Sequence, residues 1–319
     1  MSSLLSRVSE TLVKLESTYG TDSTPSASAN AVVMEEATWA PVAEVIDPNP
    51  LRATLSRVAP IQGRKIGRFT CSVPIKGSGT AGAVPEWEPL LLACRFSQTI
   101  VGATSVTYKP STGAFTGTDS TEKHGSCTIW HYMDGTLIKM NGCRGNVVFR
   151  FPAGERAMMD FDLMGALVDE ADSAVPTVSN LDATIALPCK SMSFTINSYA
   201  GVISSLECDM GNNVQPSDSV NGSDGYGDVE IVARNPTGSM NPERTLIATH
   251  DWWSEWEDGT SMALTMALTG SAGNICTFTA PAVIDREITP GDRNGKAIYD
   301  IGISYSGSSG DDEVSLALT

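Results

Sequence analysis

The chain has 319 residues, 41% of them hydrophobic, and a formal net charge of −16 at pH 7. This length is enough for about two domains and for a sizeable hydrophobic core. The acidic balance argues against binding of nucleic acid by phosphate neutralisation, because that mode needs clustered Lys and Arg.

The cysteines and the chain start narrow the class of protein further. The seven cysteines have long, irregular spacings without a CxxC pair, so we expect no zinc site and interpret most of them as small core residues of a reducing compartment. They are Cys71, Cys94, Cys127, Cys143, Cys189, Cys208 and Cys276. Residues 1–16 lack the apolar core of a signal peptide, and no apolar run approaches about 18 residues, so we expect neither a leader nor a membrane anchor.

Residues 4–50 fall into three segments. Leu4–Leu15 has apolar spacings that fit either a short amphipathic helix or a first strand. Residues 18–31 are rich in turn-forming residues and predict a surface loop. Residues 35–50 mix prolines with scattered apolar residues, which favours an extended arm lying on another surface over a strand in a sheet.

A short helix and a series of strands follow. Trp87, Leu90, Leu91 and Cys94 share one helical face, opened by nearby prolines. The strands of this half are predicted over 68–75, 105–109, 128–131, 136–140, 146–151 and 156–164. The turns between them are an Asp-Gly hairpin at 133–135 and a reversal at 141–142, and a polar loop is predicted over 111–125.

The second half has the same order of elements. Residues 241–259 predict a helix that begins with Asn241 as N-cap and Pro242, carries Trp252 on its apolar side, and ends at Gly259. A glycine- and Asp-rich loop is predicted over 212–227. The flanking strands are predicted over 192–198, 204–211, 227–234, 261–269, 276–284 and 297–305, with a final short strand at the chain end.

These elements predict a mainly β fold with one flanking helix per half, in which each helix docks on a mostly antiparallel sheet. The order of strands, tryptophan-bearing helix and strands occurs twice, so we expect a duplicated domain even though the copies share little identity. The predicted limits are 1–170 for the first domain, 171–190 for a linker and 191–319 for the second domain.

The sequence offers few candidates for chemistry. The histidines His124, His131 and His250 are far apart, and no HExxH, GxSxG, P-loop or dinucleotide motif is present. Asp251 and Glu255 sit one helical turn apart, as a glycosidase pair would, but carboxylates on an amphipathic helix are the simpler interpretation.

Two further patterns indicate possible binding sites only weakly. The tryptophans Trp252, Trp253 and Trp256 could form a sugar-binding face, and the residues 218–228 form a loose, incomplete calcium-loop pattern. We predict no catalytic, cofactor-binding or metal-binding residues and no cofactor, so the protein is not expected to be an enzyme.

Four segments in series resemble the tail tube protein, or major tail protein, of long-tailed bacteriophages. They are VKLESTYGTDSTPSASANAV (13–32), KGSGTAGAVPEWEPLLLACRFSQT (76–99), ARNPTGSMNPERTLIATHDWWSEWEDGTSMALT (233–265) and TFTAPAVIDREITPGDRNGKAIYDIGI (277–303). The resemblance implies a β-sandwich or barrel-like tube fold and rings that stack into a hollow tail through which the genome passes. It carries over no catalytic residues and assigns no residue to the lumen.

The resemblance also sets expectations for assembly. A duplicated chain would form a trimeric, pseudo-hexameric ring, with a true hexamer as the alternative. The arm at 35–50 would reach the neighbouring ring, and DNA would pass an acidic lumen without specific binding. Tape-measure, tail-terminator and distal tail proteins are the expected partners, and the virion tail, assembled in the host cytoplasm, is the expected location.

Three alternatives remain at this level. The first is another virion structural subunit, such as a baseplate, tail-terminator or decoration protein. The second is a carbohydrate-binding module that uses the tryptophans of the second helix. The third is a carboxylate-dependent hydrolase that uses Asp251 or Glu255.

Overall fold

A computed structural model describes residues 4–113, 125–181 and 183–319. The predicted polar loop at 111–125 and His124 lie mostly or wholly outside these residues. Strands dominate the described chain, and its two helices, α1 (Glu88–Ala93) and α2 (Trp252–Glu257), are short. The mainly β fold predicted from the sequence is therefore confirmed.

The strand pairs of the described residues are antiparallel. In the first half they are β1 (Ser9–Leu15), β2 (Glu35–Ile46), β3 (Ile61–Pro74), β4 (Phe96–Val101), β5 (Ser105–Pro110), β6 (Cys127–Met133), β7 (Thr136–Pro152) and β8 (Met158–Asp172). In the second half they are β9 (Ser193–Ile196), β10 (Ser205–Asp209), β11 (Asn212–Asp218), β12 (Tyr226–Arg234), β13 (Thr237–Met240), β14 (Met262–Leu268), β15 (Cys276–Arg293), β16 (Lys296–Ser306) and β17 (Ser315–Leu318).

One large sheet joins the two halves of the chain. Its main path runs β2-β3-β8-β7-β10-β13-β16-β15-β17-β5-β4, so β7 pairs with β10 and β5 pairs with β17 across the predicted linker. The main hydrophobic core also draws on both halves, from Trp87 and Phe149 to Trp252 and Phe278. The predicted duplication stays a prediction, and the halves share one core.

The first predicted helix and the Asp-Gly hairpin are confirmed. Helix α1 has a proline in its first turn and buries Leu90 and Leu91, while Trp87 just before it and Cys94 just after it are also buried. At the hairpin, Asp134 and Gly135 both have positive φ, and Met133 pairs with Thr136. This is the backbone that a two-residue turn between twisted strands requires.

The second predicted helix is much shorter than the sequence suggests. Asn241 is not its N-cap, because its side-chain oxygen accepts bonds from the backbone amides of Ser204 and Ser205. The next residues bond to neighbouring strands, with the amide of Tyr299 donating to the carbonyl of Pro242. These tertiary hydrogen bonds outweigh local helix propensity, and the helix begins only after Asp251.

Three further predictions are wrong in part. The segment 212–227 is not a loop throughout, because β11 and the start of β12 form a hairpin there. The reversal predicted at 141–142 is a bulge inside the continuous strand β7, where Gly142 has a φ of 64°. The arm at 35–50 is largely the strand β2, because its amides pair with β3 despite Pro41.

The structure also tests the expectations for the N-terminal segment, for residues 18–31 and for the cysteines. The N-terminal segment forms a strand, β1, which pairs with β6 along its length. Residues 18–31 are irregular, as predicted, apart from a single bridge at Ala31. All seven cysteines are buried and unpaired, which confirms their interpretation as core residues.

Candidate assembly surfaces

The most exposed feature of the fold is a long two-stranded ribbon made of β2 and β3, which we call the arm. Strand β3 pairs with β8 only over Gly67–Pro74, whereas β2 pairs with β3 as far as Ile46 and Ile61. The arm therefore extends past the rest of the sheet and ends in an exposed tip, residues 47–60.

Apolar side chains on the arm are not covered by the part of the chain that the structure describes. Leu51 and Leu55 at the tip are fully exposed, and several aliphatic residues of the two strands are about half exposed: Val42, Val45, Ile46 and Ile61. Exposed apolar surface of this kind is typical of an interaction site. An isolated two-stranded ribbon is also only marginally stable in water.

The tip of the arm and the first part of β3 are basic in an otherwise acidic chain, whereas β2 carries three glutamates. From Asp47 to Arg68 the sequence carries five basic residues and one acidic residue. Arg57 pairs with Asp47 at 2.6 Å, and Arg52 is exposed and makes no ion pair within the described residues. The sequence itself carries this contrast as a local reversal of the sign of charge.

A charged cluster holds the lower part of the arm against the hairpin of β11 and β12. The guanidinium of Arg64 bonds to both carboxylate oxygens of Glu44 and to Asp218, and it stacks 4.8 Å from the ring centre of Tyr226. The Arg64 bonds lower the pKa of Glu44 below its ordinary value. The cluster orients the arm and leaves its tip free.

The main path of the large sheet ends in an edge strand on each side. Strands β2 and β4 stand at opposite ends of the sheet path, and the apolar side chains of Ile100 and Val101 on β4 are exposed. An open edge presents unpaired amides and carbonyls that another chain can continue. Both edges are therefore candidate contacts between copies.

A pocket of about 710 Å³ lies at the base of the arm, where β2 begins. Its lining carries the exposed carboxylates of Glu36, Glu155 and Glu207 together with the guanidinium groups of Arg150 and Arg156, and its apolar residues Phe151 and Leu206 are only 2% and 1% exposed. These carboxylates come from three separate parts of the chain, so sequence spacing alone could not bring them together.

The residues considered for glycosidase chemistry have structural partners. The carboxylate of Asp251 caps α2 by accepting from the amide of Ser254 at 3.1 Å. The carboxylate of Glu255 lies 2.9 Å from His250 Nε2 and accepts a hydrogen bond from the side-chain Nδ2 of Asn197. Burial of Asp285, and next the nearby charge of Glu255, raise the pKa of the Asp285 carboxyl to about 7.

The tryptophans of α2 do not form one sugar-binding face. Trp252 is only 1% exposed, while Trp253 is 47% exposed. The indole of Trp256 donates to the carbonyl of Arg286 at 3.2 Å, so one edge of that ring is already bonded. The helix serves mainly to close the core over β15.

The remaining polar candidates also have structural surroundings. Burial lowers the pKa of His131, whose Nδ1 bonds to Thr11 at 2.9 Å. Among the described residues, no group of His, Cys, Asp and Glu is arranged to hold a metal ion. The acidic residues at 218–228 serve the arm instead, through Asp218 and Asp224.

A family model described as phage tail tube protein matches residues 7–309, nearly the whole chain. The chain belongs to the phage tail tube protein family. No match is found among curated proteins. The family membership confirms the resemblance drawn from the four sequence segments.

A tail tube protein is a structural component of the virion tail, and the family assignment implies self-assembly into a tube. The exposed arm, the edge strands β2 and β4, and the pocket are candidate surfaces for this assembly. None of the helices in the described part of this tail tube protein is long and apolar enough to cross a membrane.

Proposed function

We propose that this protein polymerises as stacked rings into the hollow tail tube that conducts the phage genome into the host cell. The arm is the observation that carries this proposal. A ribbon with two fully exposed leucines at its tip needs a partner to cover its apolar surface. In a tail tube protein the simplest partner is a second copy of the same chain.

An arm-shortened variant tests this proposal. Ile46 and Ile61 are register partners, so an Asn-Gly turn can join them in place of residues 47–60. We expect the variant to keep the melting temperature and circular dichroism of the wild type. Its sedimentation should show monomers at concentrations at least about ten times those at which the wild type assembles, a loss of about 1.4 kcal/mol per contact. Equal assembly of both proteins would contradict the proposal.

We further propose a ring of three chains with pseudo-sixfold symmetry, and a true hexamer is the alternative. In each half a short helix precedes a long antiparallel hairpin, β7–β8 in the first and β15–β16 in the second. This supports two tube-like units, at 1–170 and 191–319, joined by the segment 171–190. The strand pairs between the halves would make each chain one rigid third of the ring.

Passage of DNA without specific binding completes the proposal. A net charge of −16 repels a polyanion, which favours movement over adhesion. Assembled protein should not retain double-stranded DNA in a filter-binding assay at low salt, where phosphate contacts are strongest. Retention that weakens as salt is added would contradict this part.

The other expected properties belong to the same proposal. Assembly takes place in the host cytoplasm, and tape-measure, tail-terminator and distal tail proteins bind the tube or its ends. The protein has no catalytic role in this scheme. The structural partners of Asp251 and Glu255 support that view.

A further inference from the structure

Buried polar atoms without a hydrogen-bond partner in the described residues cluster where α2 packs on β15. They are Nε2 of His250, Nε1 of Trp252, Oε2 of Glu255 and both carboxylate oxygens of Asp285. Among them, Nε2 of His250 and Oε2 of Glu255 form an ion pair at 2.9 Å. A buried polar group without a partner costs free energy. The contact between α2 and β15 is therefore less stable than its apolar side chains alone would make it.

Asp285 is the least compensated of these groups. Its side chain is 4% exposed, and its register partner on β16 is the uncharged Ile303. The titratable groups that face it are Glu255 on α2 and, paired with Glu255, His250 just before α2. On its own strand, Arg286 is exposed and makes no ion pair within the described residues. Ionisation of Asp285 therefore adds a second buried carboxylate beside Glu255.

The segment that carries α2 is held to the core on one side only. Leu246 and Ile247 are 79% and 74% exposed, whereas Trp252 is 1% exposed. The ring of Tyr199 stacks on His250, with 4.2 Å between the ring centres. Helix α2 has six residues, and a helix this short does not keep its own hydrogen bonds in water. The hydrogen bonds of α2 therefore depend on its contact with β15.

We propose that α2 is a proton-controlled latch, which stays closed over β15 while Asp285 holds a proton and opens more often once Asp285 is ionised. Opening lets water reach the carboxylates of Asp285 and Glu255 and relieves their repulsion. It also exposes Trp252 next to Leu246 and Ile247, so the apolar surface of this segment grows as the pH rises. The latch does not depend on the proposed assembly.

The direction of the effect follows from the two states of Asp285. Burial, and next the charge of Glu255, raise its pKa from 3.8 to about 7 while α2 is closed. The closed form therefore binds this proton more tightly than the open form. The opening constant should rise about tenfold per pH unit between about pH 5 and pH 7 and level off above that range. Loss of a proton from His250 acts in the same direction, because it removes the charge that balances Glu255.

Hydrogen exchange of the full chain from pH 5 to pH 8, read by mass spectrometry, tests the latch. The amides of Asp258, Gly259 and Thr260 donate within α2 or just after it, so they report its opening. Their protection factors, which correct for the intrinsic pH dependence of exchange, should fall about tenfold per pH unit up to about pH 7. Amides at the centre of β7 should keep constant protection in the same samples.

Two variants assign the effect to one carboxyl group. Asp285→Asn removes the titrating group at nearly constant side-chain size, so the protection of α2 should become independent of pH. Glu257→Gln is the matched control, because Glu257 is an exposed carboxylate on the same helix. This control should keep the pH dependence of the wild type.

Three results would overturn the latch. Constant protection of α2 in the wild type would do so without any variant. A pH dependence that persists unchanged in Asp285→Asn would assign it to His250 instead. Loss of protection in β7 together with α2 would show global unfolding in place of a local opening. Tube assembly is tested separately by the arm-shortened variant, so failure of either proposal leaves the other standing.

Discussion

The ammonium of Lys76 lies 3.1 Å from the carboxylate of Glu86, and the two side chains are only 4% and 5% exposed. The pair lies next to Trp87, whose indole donates to the carbonyl of Lys76 at 2.9 Å. It therefore fixes the entry to α1 inside the core.

Removal of one member of this pair should be costly, because the other charge stays buried. Glu86→Gln should lower the free energy of unfolding by about 3 kcal/mol. Lys296→Met is the control, since Lys296 pairs with Glu243 at the surface and should cost less than about 1 kcal/mol. Urea denaturation of both variants measures the difference, and equal effects would show that burial of the first pair is unimportant.

The buried carboxyl of Asp285 predicts a pH dependence. Burial, and next the charge of Glu255, raise its pKa from 3.8 to about 7. The folded state therefore binds this proton more tightly than the unfolded state. Stability from this group is full below pH 3.8 and is lost as the pH rises to about 7.

Asp285→Asn should remove that dependence. At pH 8 the variant should be more stable than the wild type by about 4 kcal/mol, and the gap should close near pH 4. Asp300→Asn, a change at an exposed carboxylate, should leave the pH profile unaltered. Thermal denaturation from pH 4 to 8 tests this, and a gap independent of pH would refute the assignment.

The tryptophans of α2 should differ sharply in importance. Trp252→Ala removes a buried ring and should cost about 3–5 kcal/mol, while Trp253→Ala should cost less than about 1 kcal/mol. Neither change should alter binding to a glycan array. Glycan binding by the wild type that Trp253→Ala abolishes would revive the carbohydrate-binding alternative.

The Asp-Gly turn offers a clean test of backbone strain. Gly135 has a φ of 104° with no atom near an added Cβ, and Gly102 has equal space without a positive φ. Gly135→Ala should therefore cost about 1–2 kcal/mol and Gly102→Ala much less. Chemical denaturation compares the two, and equal costs would mean that the turn tolerates a side chain.

The parts of the fold that local chemistry determines were predictable. The helix around Leu90 and the turn at Gly135 follow from prolines, apolar spacing and an Asp-Gly pair within a few residues of each other. The prediction of a helix that begins at Asn241 was wrong, because Asn241 and Pro242 bond to distant backbone groups at Ser204 and Tyr299. The residues next to Asn241 in the sequence do not reveal these distant hydrogen-bond partners.

Some features of the candidate assembly surfaces could likewise be predicted from the sequence, and others could not. The basic run from Asp47 to Arg68 can be identified from the sequence alone, and the proline-rich segment at 35–50 predicted an arm. The strand pairing of that arm with β3 was missed because Pro41 argued against a strand. The pocket brings Glu36, Glu155 and Glu207 together only through the fold.

Electron microscopy of the concentrated wild-type protein, with end-on class averages, tests the central claim most directly. We expect rings or tubes with an open axial channel and threefold, pseudo-sixfold symmetry. Unbroken sixfold symmetry would favour the hexamer and contradict the duplicated-chain ring. Particles that remain compact monomers at every concentration would contradict self-assembly through the arm.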